Sequence, residues 1–322
     1  MSRAIEASAP GKLVLAGEYA VLEGAPGIAM ALNRRARCKV ERSDDARWKF
    51  STQFAHWESE HTRESLERQL ASDDPACMVR HVCDPSLLPS GGRVVLDSSS
   101  LYSSSAKLGL GSSAALLISL GLGLNSVIGR TLEFKDCLVA HRRLQKGAGS
   151  GIDVAACWHG GCITFRAGGP ARVRMDPSVR ICLVWTGGST VTGEKLARFH
   201  QWRAAARSST MDRLRAHAEE VIEALDDGEA FVRACSAYGD AMSEIDEAAG
   251  LGYWSTPHRQ IRRYAEAVRI TYKPSGAGGG DVGFACTTDP DRLQKFVEQL
   301  ADTPFRVIPA EVSESGATCE TV

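Results

Sequence analysis

Lys107-Leu108-Gly109-Leu110-Gly111-Ser112-Ser113-Ala114-Ala115 runs without a break into the apolar Leu116-Leu117-Ile118-Ser119-Leu120, and the reading of this stretch decides the fold. Glycines and small hydroxyl residues lead straight into a segment of helical character, so backbone N–H groups and the positive end of a helix dipole face whatever occupies the loop. That is an anion site. Ser112 and Ser113 add hydroxyls suited to phosphate oxygens or a magnesium ion, which makes a nucleotide's phosphate chain the natural anion. A serine-capped helix start, with the glycines serving a turn, is the plain structural alternative.

Two familiar phosphate loops fail here. A Walker A loop requires Lys-Ser or Lys-Thr directly after its last glycine, and no glycine cluster in the chain supplies it. Gly109-Leu110-Gly111-Ser112-Ser113-Ala114 fits the dinucleotide pattern, with Glu133 near the distance of a ribose-binding acid. That pattern needs a buried strand before the glycines, whereas here a polar run from Ser98 to Ala106 precedes them.

The 322 residues, 43% of them hydrophobic, are enough for one large α/β unit or two fused lobes. A net charge of −1 gives no reason to expect nucleic acid or an anionic membrane as partner. Ten cysteines are scattered without Cys-x-x-Cys pairs or zinc spacing, as expected of reduced, packed thiols. The N-terminus has no apolar stretch of signal-peptide length, and the apolar run 114–128 is too short to span a bilayer. The chain reads as soluble and cytoplasmic.

In order, residues 5–9 predict a short strand ended by Pro10-Gly11, followed by the apolar run from Lys12 to the turn Gly17-Glu18-Tyr19. Lys12 gains interest only if Glu18, as a partner, and the phosphate loop converge on it. Residues 28–40 predict a strand interrupted at Asn33-Arg34-Arg35, and 48–57 an exposed sheet. Short helices are expected at 65–70 and 75–82, a strand at 93–97, and a serine-rich loop to Ala106 whose length and polarity suit a flap. Helices then fill 114–128 and 133–146. A second glycine loop, Gly147-Ala148-Gly149-Ser150-Gly151, presents Asp153 where an apolar helix begins, and there the carboxylate reads first as a cap. Strands follow at 160–166 and 179–185, three amphipathic helices between 193 and 250 with breaks near Ser208 and Gly228, and a helix from Pro257 to Val268. A third glycine cluster, Lys273-Pro274-Ser275-Gly276-Ala277-Gly278-Gly279-Gly280-Asp281, precedes a strand at 282–286. Helix 292–300, strand 305–308 and a loose tail at 311–322 close the chain.

Three of these segments, in this order, resemble the three motifs of the GHMP kinases, the superfamily of galactokinase, homoserine kinase, mevalonate kinase and phosphomevalonate kinase. They are Pro10-Gly11-Lys12 through Leu22, Gly109 through Ala115, and Lys273 through Asp281, and they span nearly the whole chain. Several details resemble the phosphomevalonate kinase branch: Tyr19 where mevalonate kinases usually carry histidine, Lys107, the segment 149–156, Trp185-Thr186-Gly187 and the Lys-Pro-Ser opening of the third motif. The chain departs in being short for that branch, and in having His159 where an aromatic is commoner. His141 and Gln145 stand in the neighbourhood where mevalonate kinases place a magnesium-binding glutamate.

The resemblance implies an α+β, two-lobed α/β fold: a lobe like ribosomal protein S5 at 1–165 and a ferredoxin-like lobe at 166–322, with ATP between them. It implies ATP and Mg2+ as cofactors, held by Lys107, Gly109, Gly111, Ser112, Ser113 and Ala114, with Ser113 as the metal ligand and Ser112 on phosphate. It makes Lys12 and Asp153 catalytic, and it places Glu18, Tyr19, Ser150, Gly151, Ser275, Gly276, Ala277 and Gly278 at the acceptor. The implied acceptor is 5-phosphomevalonate, converted to 5-diphosphomevalonate in isoprenoid biosynthesis. Lys107, His141, Lys195 and Arg198 are the candidate cations for its phosphate. The alternatives are mevalonate kinase or another small-molecule kinase of the superfamily, a diphosphomevalonate decarboxylase-like lyase, and a non-catalytic metabolite binder. A monomer or homodimer is expected, with no nucleic-acid or membrane partner.

Overall fold

The computed structural model describes residues 4–53, 57–103, 106–145, 147, 149–166, 169–190, 192–205 and 209–322. Strand β1 (Ile5–Ala16) does not stop at Pro10-Gly11 but runs through it. Its antiparallel register with β2 (Gly27–Ser43) shifts at that step, from Pro10 opposite Arg35 to Gly11 opposite Leu32. The shift absorbs Asn33-Arg34, so β2 is also continuous where an interruption was expected. Such a bulge tolerates a proline and re-aims the side chains beyond it, here Lys12.

Next come β3 (Trp48–Thr52) and β4 (Glu58–His61), then α1 (Arg63–Leu66), a 3₁₀ turn at Pro75–Met78 leading into α2 (Val79–Val82), and β5 (Gly91–Asp97). The expected exposed sheet at 48–57 is corrected: Trp48 and Phe50 are core residues, with ring centroids 6.5 Å apart. In the serine-rich loop, Ser104 and Ser105 lie outside the described residues. The described part forms a two-stranded ribbon, β6 (Tyr102–Ser103) with β7 (Ala106–Lys107). Ser100 donates from Oγ to the Arg35 carbonyl at 2.8 Å and accepts from Arg34 on its own carbonyl at 3.0 Å, a tether rather than a free flap.

Helix α3 (Ser112–Val127) is buried around most of its circumference and lies on β1 and β2, as an almost uniformly apolar helix must. Helices α4 (Phe134–Leu144) and α5 (Ile152–His159) follow, then β8 (Cys162–Arg166), β9 (Gly169–Val173) and β10 (Arg180–Trp185). The helical region consists of α6 (Thr192–Ala205), α7 (Ser209–Glu223) and α8 (Gly228–Ala249), with Ser208, the expected break, outside the described residues. The last elements are α9 (Thr256–Ala267), β11 (Thr271–Pro274), β12 (Val282–Thr287), α10 (Pro290–Leu300), β13 (Arg306–Pro309) and β14 (Thr318–Thr321).

The larger sheet runs β14-β1-β2-β5-β3-β4, with β8 pairing the early part of β2 and β9 pairing β8; the smaller runs β11-β12-β10-β13. The two-lobed α/β architecture is thus the one the motifs implied. The loose tail is corrected: Ile5 to Ser8 pair with Thr321 to Thr318, and Arg35 donates to the Ser313 hydroxyl at 3.1 Å and the Gly316 carbonyl at 2.7 Å. β14 has a polar, exposed composition, so its pairing carries no hydrophobic pattern to read. Hence the larger sheet holds strands from both sides of the 165/166 division. All ten cysteines are free thiols, most of them buried, and no helix among the described residues is long and apolar enough to cross a membrane.

Candidate active site

The phosphate loop is built against β1. The Lys12 amide donates to the Leu110 carbonyl at 2.8 Å, and a Cβ on Gly11 would lie 2.6 Å from Leu101 Cδ2 and 2.7 Å from that same carbonyl. Pro10-Gly11 is therefore a docking step for the loop. Gly109 and Gly111 take φ of +77° and +78°, and Gly111 opens α3. The Lys12 stem crosses over Gly111, where a Cβ would meet its Cγ at 2.8 Å. Its Nζ ends 3.2 Å from Asp153 Oδ1 and 3.9 Å from the place a Cβ on Gly276 would take. One ammonium thus stands among the phosphate loop, the aspartate loop and the third glycine segment. Glu18, the partner weighed for it from sequence, is elsewhere.

Asp153 is not the cap of α5. Gly151 holds that place at φ +97°, with Leu138 Cδ1 2.2 Å from where its Cβ would be, and Asp153 lies inside the first turn with its carboxylate on Lys12. Ser150 supports the turn, its Oγ accepting from the Ile152 amide at 3.3 Å.

These groups wall a cleft of ≈ 1090 Å³, open mouth included. Lys12, Glu18, Tyr19, Lys107, Gly109, Gly111, Ser113, Ala114, Ser150, Gly151, Asp153, Ser275, Gly276 and Ala277 line it. Ser112 is buried behind the loop, and Gly278 backs onto the Tyr253 ring, 2.2 Å from its Cβ position, so neither stands in the lining. Ser113 is exposed to the cleft at the start of α3, whose first amides have no intrahelical acceptor. Lys195 and Arg198 are not in the wall: Lys195 donates to the Leu251 and Gly252 carbonyls at 2.6 and 3.0 Å, and Arg198 to the Gly250 carbonyl at 3.4 Å.

The third glycine segment is a buttress. Lys273, fully buried, bonds Glu18 Oε1 at 2.6 Å, the Pro274 carbonyl at 2.9 Å and the Leu15 carbonyl at 3.2 Å, so all three ammonium protons are used. Ser275 Oγ donates to the Val14 carbonyl at 2.8 Å and accepts from the Val14 amide at 3.1 Å, mimicking a strand partner for β1. The Tyr19 hydroxyl donates to the Ala277 carbonyl at 2.9 Å, and burial pushes its phenol pKa up. Glu18, Tyr19 and Ser275 therefore join the two ends of the chain as well as edging the cleft.

Beneath this segment, buried His258 contacts the Gly280 carbonyl through Nε2 at 3.1 Å and the Tyr272 hydroxyl through Nδ1 at 2.8 Å. Burial lowers its pKa from 6.5 to about 4. The folded state therefore refuses a proton that the unfolded chain accepts below pH 6.5. Stability should fall as pH drops from 6.5 toward 4, by up to about 1.4 kcal/mol per pH unit from this site. In urea titrations at pH 7 and 5, His258→Asn should lose less stability between the two than wild type does; equal losses would refute the assignment.

Gln145, singled out with His141 by the resemblance, stands in the cleft wall, whereas sequence reasoning missed Asp281, Thr190, Thr192 and Leu196 there. Asp281 was quoted within the third motif without a role. At φ +56° it packs its carboxyl on Gly109, where an added Cβ would lie 2.4 Å from its own. Burial raises its pKa, opposed by Lys107, the Thr190 backbone and Lys12. A carboxylate ending a glycine run was the available signal. Thr190 to Leu196 carried none, because only the packing of the second lobe brings them near.

Residues 77–161 match the family model "GHMP kinases N terminal domain". The phosphomevalonate kinase of Streptomyces sp. (strain CL190) is 26% identical, covering 96% of this chain and 98% of that one. The mevalonate kinase of Aeropyrum pernix is 24% identical, covering 99% of each. Among solved structures, Streptococcus pneumoniae phosphomevalonate kinase in complex with phosphomevalonate and AMPPNP superposes with a TM-score of 0.76 at 16% identity, covering 98% of this chain and 99% of that one. With three ordered glycine motifs converging on one cleft, residues 77–161 match the N-terminal domain of the GHMP kinases and the whole chain takes the fold of the solved kinases it resembles.

Proposed function

We propose that the protein transfers the terminal phosphoryl group of ATP to the phosphate of 5-phosphomevalonate, giving 5-diphosphomevalonate and ADP. The observation that carries this reading is the Lys12–Asp153 pair at 3.2 Å, set where the glycine segments meet. The acceptor is supported by the branch-like features Tyr19, Lys107, the 149–156 segment and Lys273-Pro274-Ser275, and by end-to-end likeness to the Streptomyces enzyme.

Phosphoryl transfer asks chiefly for alignment and for positive charge around the equatorial oxygens. Lys12 supplies that charge from a nearly water-free position, and Asp153 keeps its ammonium aimed. A phosphomonoester is already largely dianionic at neutral pH, so little proton abstraction is required and Asp153 orients rather than deprotonates. Gly109 and Gly111 bring backbone close to the donor phosphates, with the start of α3 facing them. Magnesium suits this donor set, because it is bound by few protein oxygens together with substrate phosphates and water, and when bound it neutralises charge on the donor phosphates. The exposed Ser113 hydroxyl is the protein group that would hold it. Ser113→Ala should raise the magnesium concentration for half-maximal rate severalfold; an unchanged titration removes the ligand.

The deciding experiment is ADP release with 5-phosphomevalonate, mevalonate and 5-diphosphomevalonate, each product identified by phosphorus NMR. Diphosphomevalonate formed from 5-phosphomevalonate alone is the expected result. Mevalonate kinase is the second reading, favoured by one observation: with Lys195 and Arg198 held on carbonyls, Lys12 and Lys107 are the lysines and arginines lining the cleft among the described residues. Phosphorylation of mevalonate alone would select it.

A further inference from the structure

Away from the cleft, α2, the end of α3 and the start of α4 wall a second hollow of ≈ 1180 Å³, open mouth included. Asn125 of α3 organises it. Its side chain is 7% exposed, and both Nδ2 protons are used, on the Val82 carbonyl at 2.7 Å and the Gly121 carbonyl at 2.8 Å. Those two bonds fix which end of the amide is the oxygen. Oδ1 has no hydrogen-bond partner among the described residues and keeps accessible surface toward the hollow. The same residue brings two arginines there. Val82 stands just beyond Arg80 on α2, and the Asn125 carbonyl accepts from the Arg130 amide at 2.9 Å. Neither guanidinium makes a hydrogen bond or ion pair among the described residues. Of the carboxylates in the wall, Asp84 accepts from the Ser86 amide and hydroxyl at 3.1 and 2.7 Å, and Asp136 closes the cap of α4 on the Glu133 amide at 3.0 Å. Glu67, just after α1, remains as a second open acceptor. His81 adds no charge, because burial, then Arg80 and Arg143, lower its pKa.

We propose that this hollow binds a hydroxylated phosphate monoester, its phosphate on Arg80 and Arg130 and a hydroxyl donating to Asn125 Oδ1. A phosphomonoester is largely dianionic at neutral pH, which matches two guanidiniums whose planar forks suit its oxygens. The ionised phosphate has no proton for Asn125 Oδ1, which only accepts, so the ligand must bring a donor beside it. A hydroxyl fits that place, whereas an ammonium would stand against the two arginines. At about 1.5 Å per residue along α3, Asn125 lies roughly 18 Å from Ser113, so the site is separate from the kinase cleft and stands whether or not the kinase reading does.

The test is calorimetric titration of the full chain with glycerol 3-phosphate and with methyl phosphate, which has no hydroxyl. Wild type should bind glycerol 3-phosphate, and methyl phosphate about three- to tenfold more weakly, the worth of one net hydrogen bond. Arg80→Gln/Arg130→Gln should weaken glycerol 3-phosphate at least about tenfold, through the loss of charge-assisted contacts. Arg80 is half-buried and Arg130 exposed, so the double variant should melt with wild type; should it not, Arg130→Gln alone gives the same readout at a severalfold loss. Lys12→Met, altered only in the cleft, should bind the ester as wild type does. Absence of binding to wild type, equal affinity for the two esters, binding that survives loss of the arginines, or binding lost in Lys12→Met would each overturn the proposal.

Discussion

Replacing Lys12 by methionine is expected to lower kcat about 10²- to 10³-fold, the scale seen when one preorganised charge-stabilising group is removed from a dry site. The fold should survive. The ammonium is 7% exposed, but its partner Asp153 is 30% exposed, so the carboxylate left behind can be hydrated. Methionine fills the stem that passes over Gly111, keeping the phosphate loop in place. ATP affinity, measured calorimetrically, should change much less than kcat, because the group acts on the transferring phosphoryl rather than on the nucleotide as a whole. Asp153→Asn should give a smaller loss, since an amide still hydrogen-bonds the ammonium while no longer fixing its charge. A Lys12→Met enzyme within threefold of wild-type kcat would remove this lysine from the chemistry.

Lys273→Met should instead attack stability, by about 3–5 kcal/mol in urea denaturation, because it strands the Glu18 carboxylate without its counter-charge. Both partners are nearly dry, at 0% and 2% exposure, and the ammonium also lies 5.1 Å from the Phe284 ring and 5.5 Å from the Tyr238 ring. The double variant Lys273→Met/Glu18→Leu should recover a large part of the loss, since an apolar pair carries no stranded charge. If the single variant costs less than 1 kcal/mol, the pair is not the clamp between the first and third motifs described here.

The contrast between these lysines marks what sequence could and could not tell. Lys12 was readable because it belongs to a motif whose neighbours are glycines, and glycines announce close backbone approach. No local pattern gives its partner: Glu18 is six residues away and Asp153 far along the chain, so the family resemblance is what pairs Asp153 with Lys12, while only folding assigns Glu18 to Lys273. The helices from α6 to α10 were legible from their period and the position of Pro257, whereas the ends of β1 and β2 were not, because a register shift turns the breaker Pro10-Gly11 into part of a strand. The cleft was legible as three loops and illegible as a wall. Thr190, Thr192 and Leu196 reach it through packing between helices and sheets, which no local pattern encodes.

The pairing of Ile5 with Thr321 joins positions more than three hundred residues apart. As the chain leaves the ribosome, one edge of β1 waits for its strand neighbour β14 until all the elements between them have been made. Through that interval the outer edge of the strand carrying Lys12 offers unpaired amides and carbonyls to any extended segment nearby. Contacts of such long range form late because the loop they close must first lose its freedom. Assembly of the larger sheet is therefore expected to proceed outward from the β1–β2 hairpin, with β14 acting as a latch whose closing reports that the elements between it and β1 are in place.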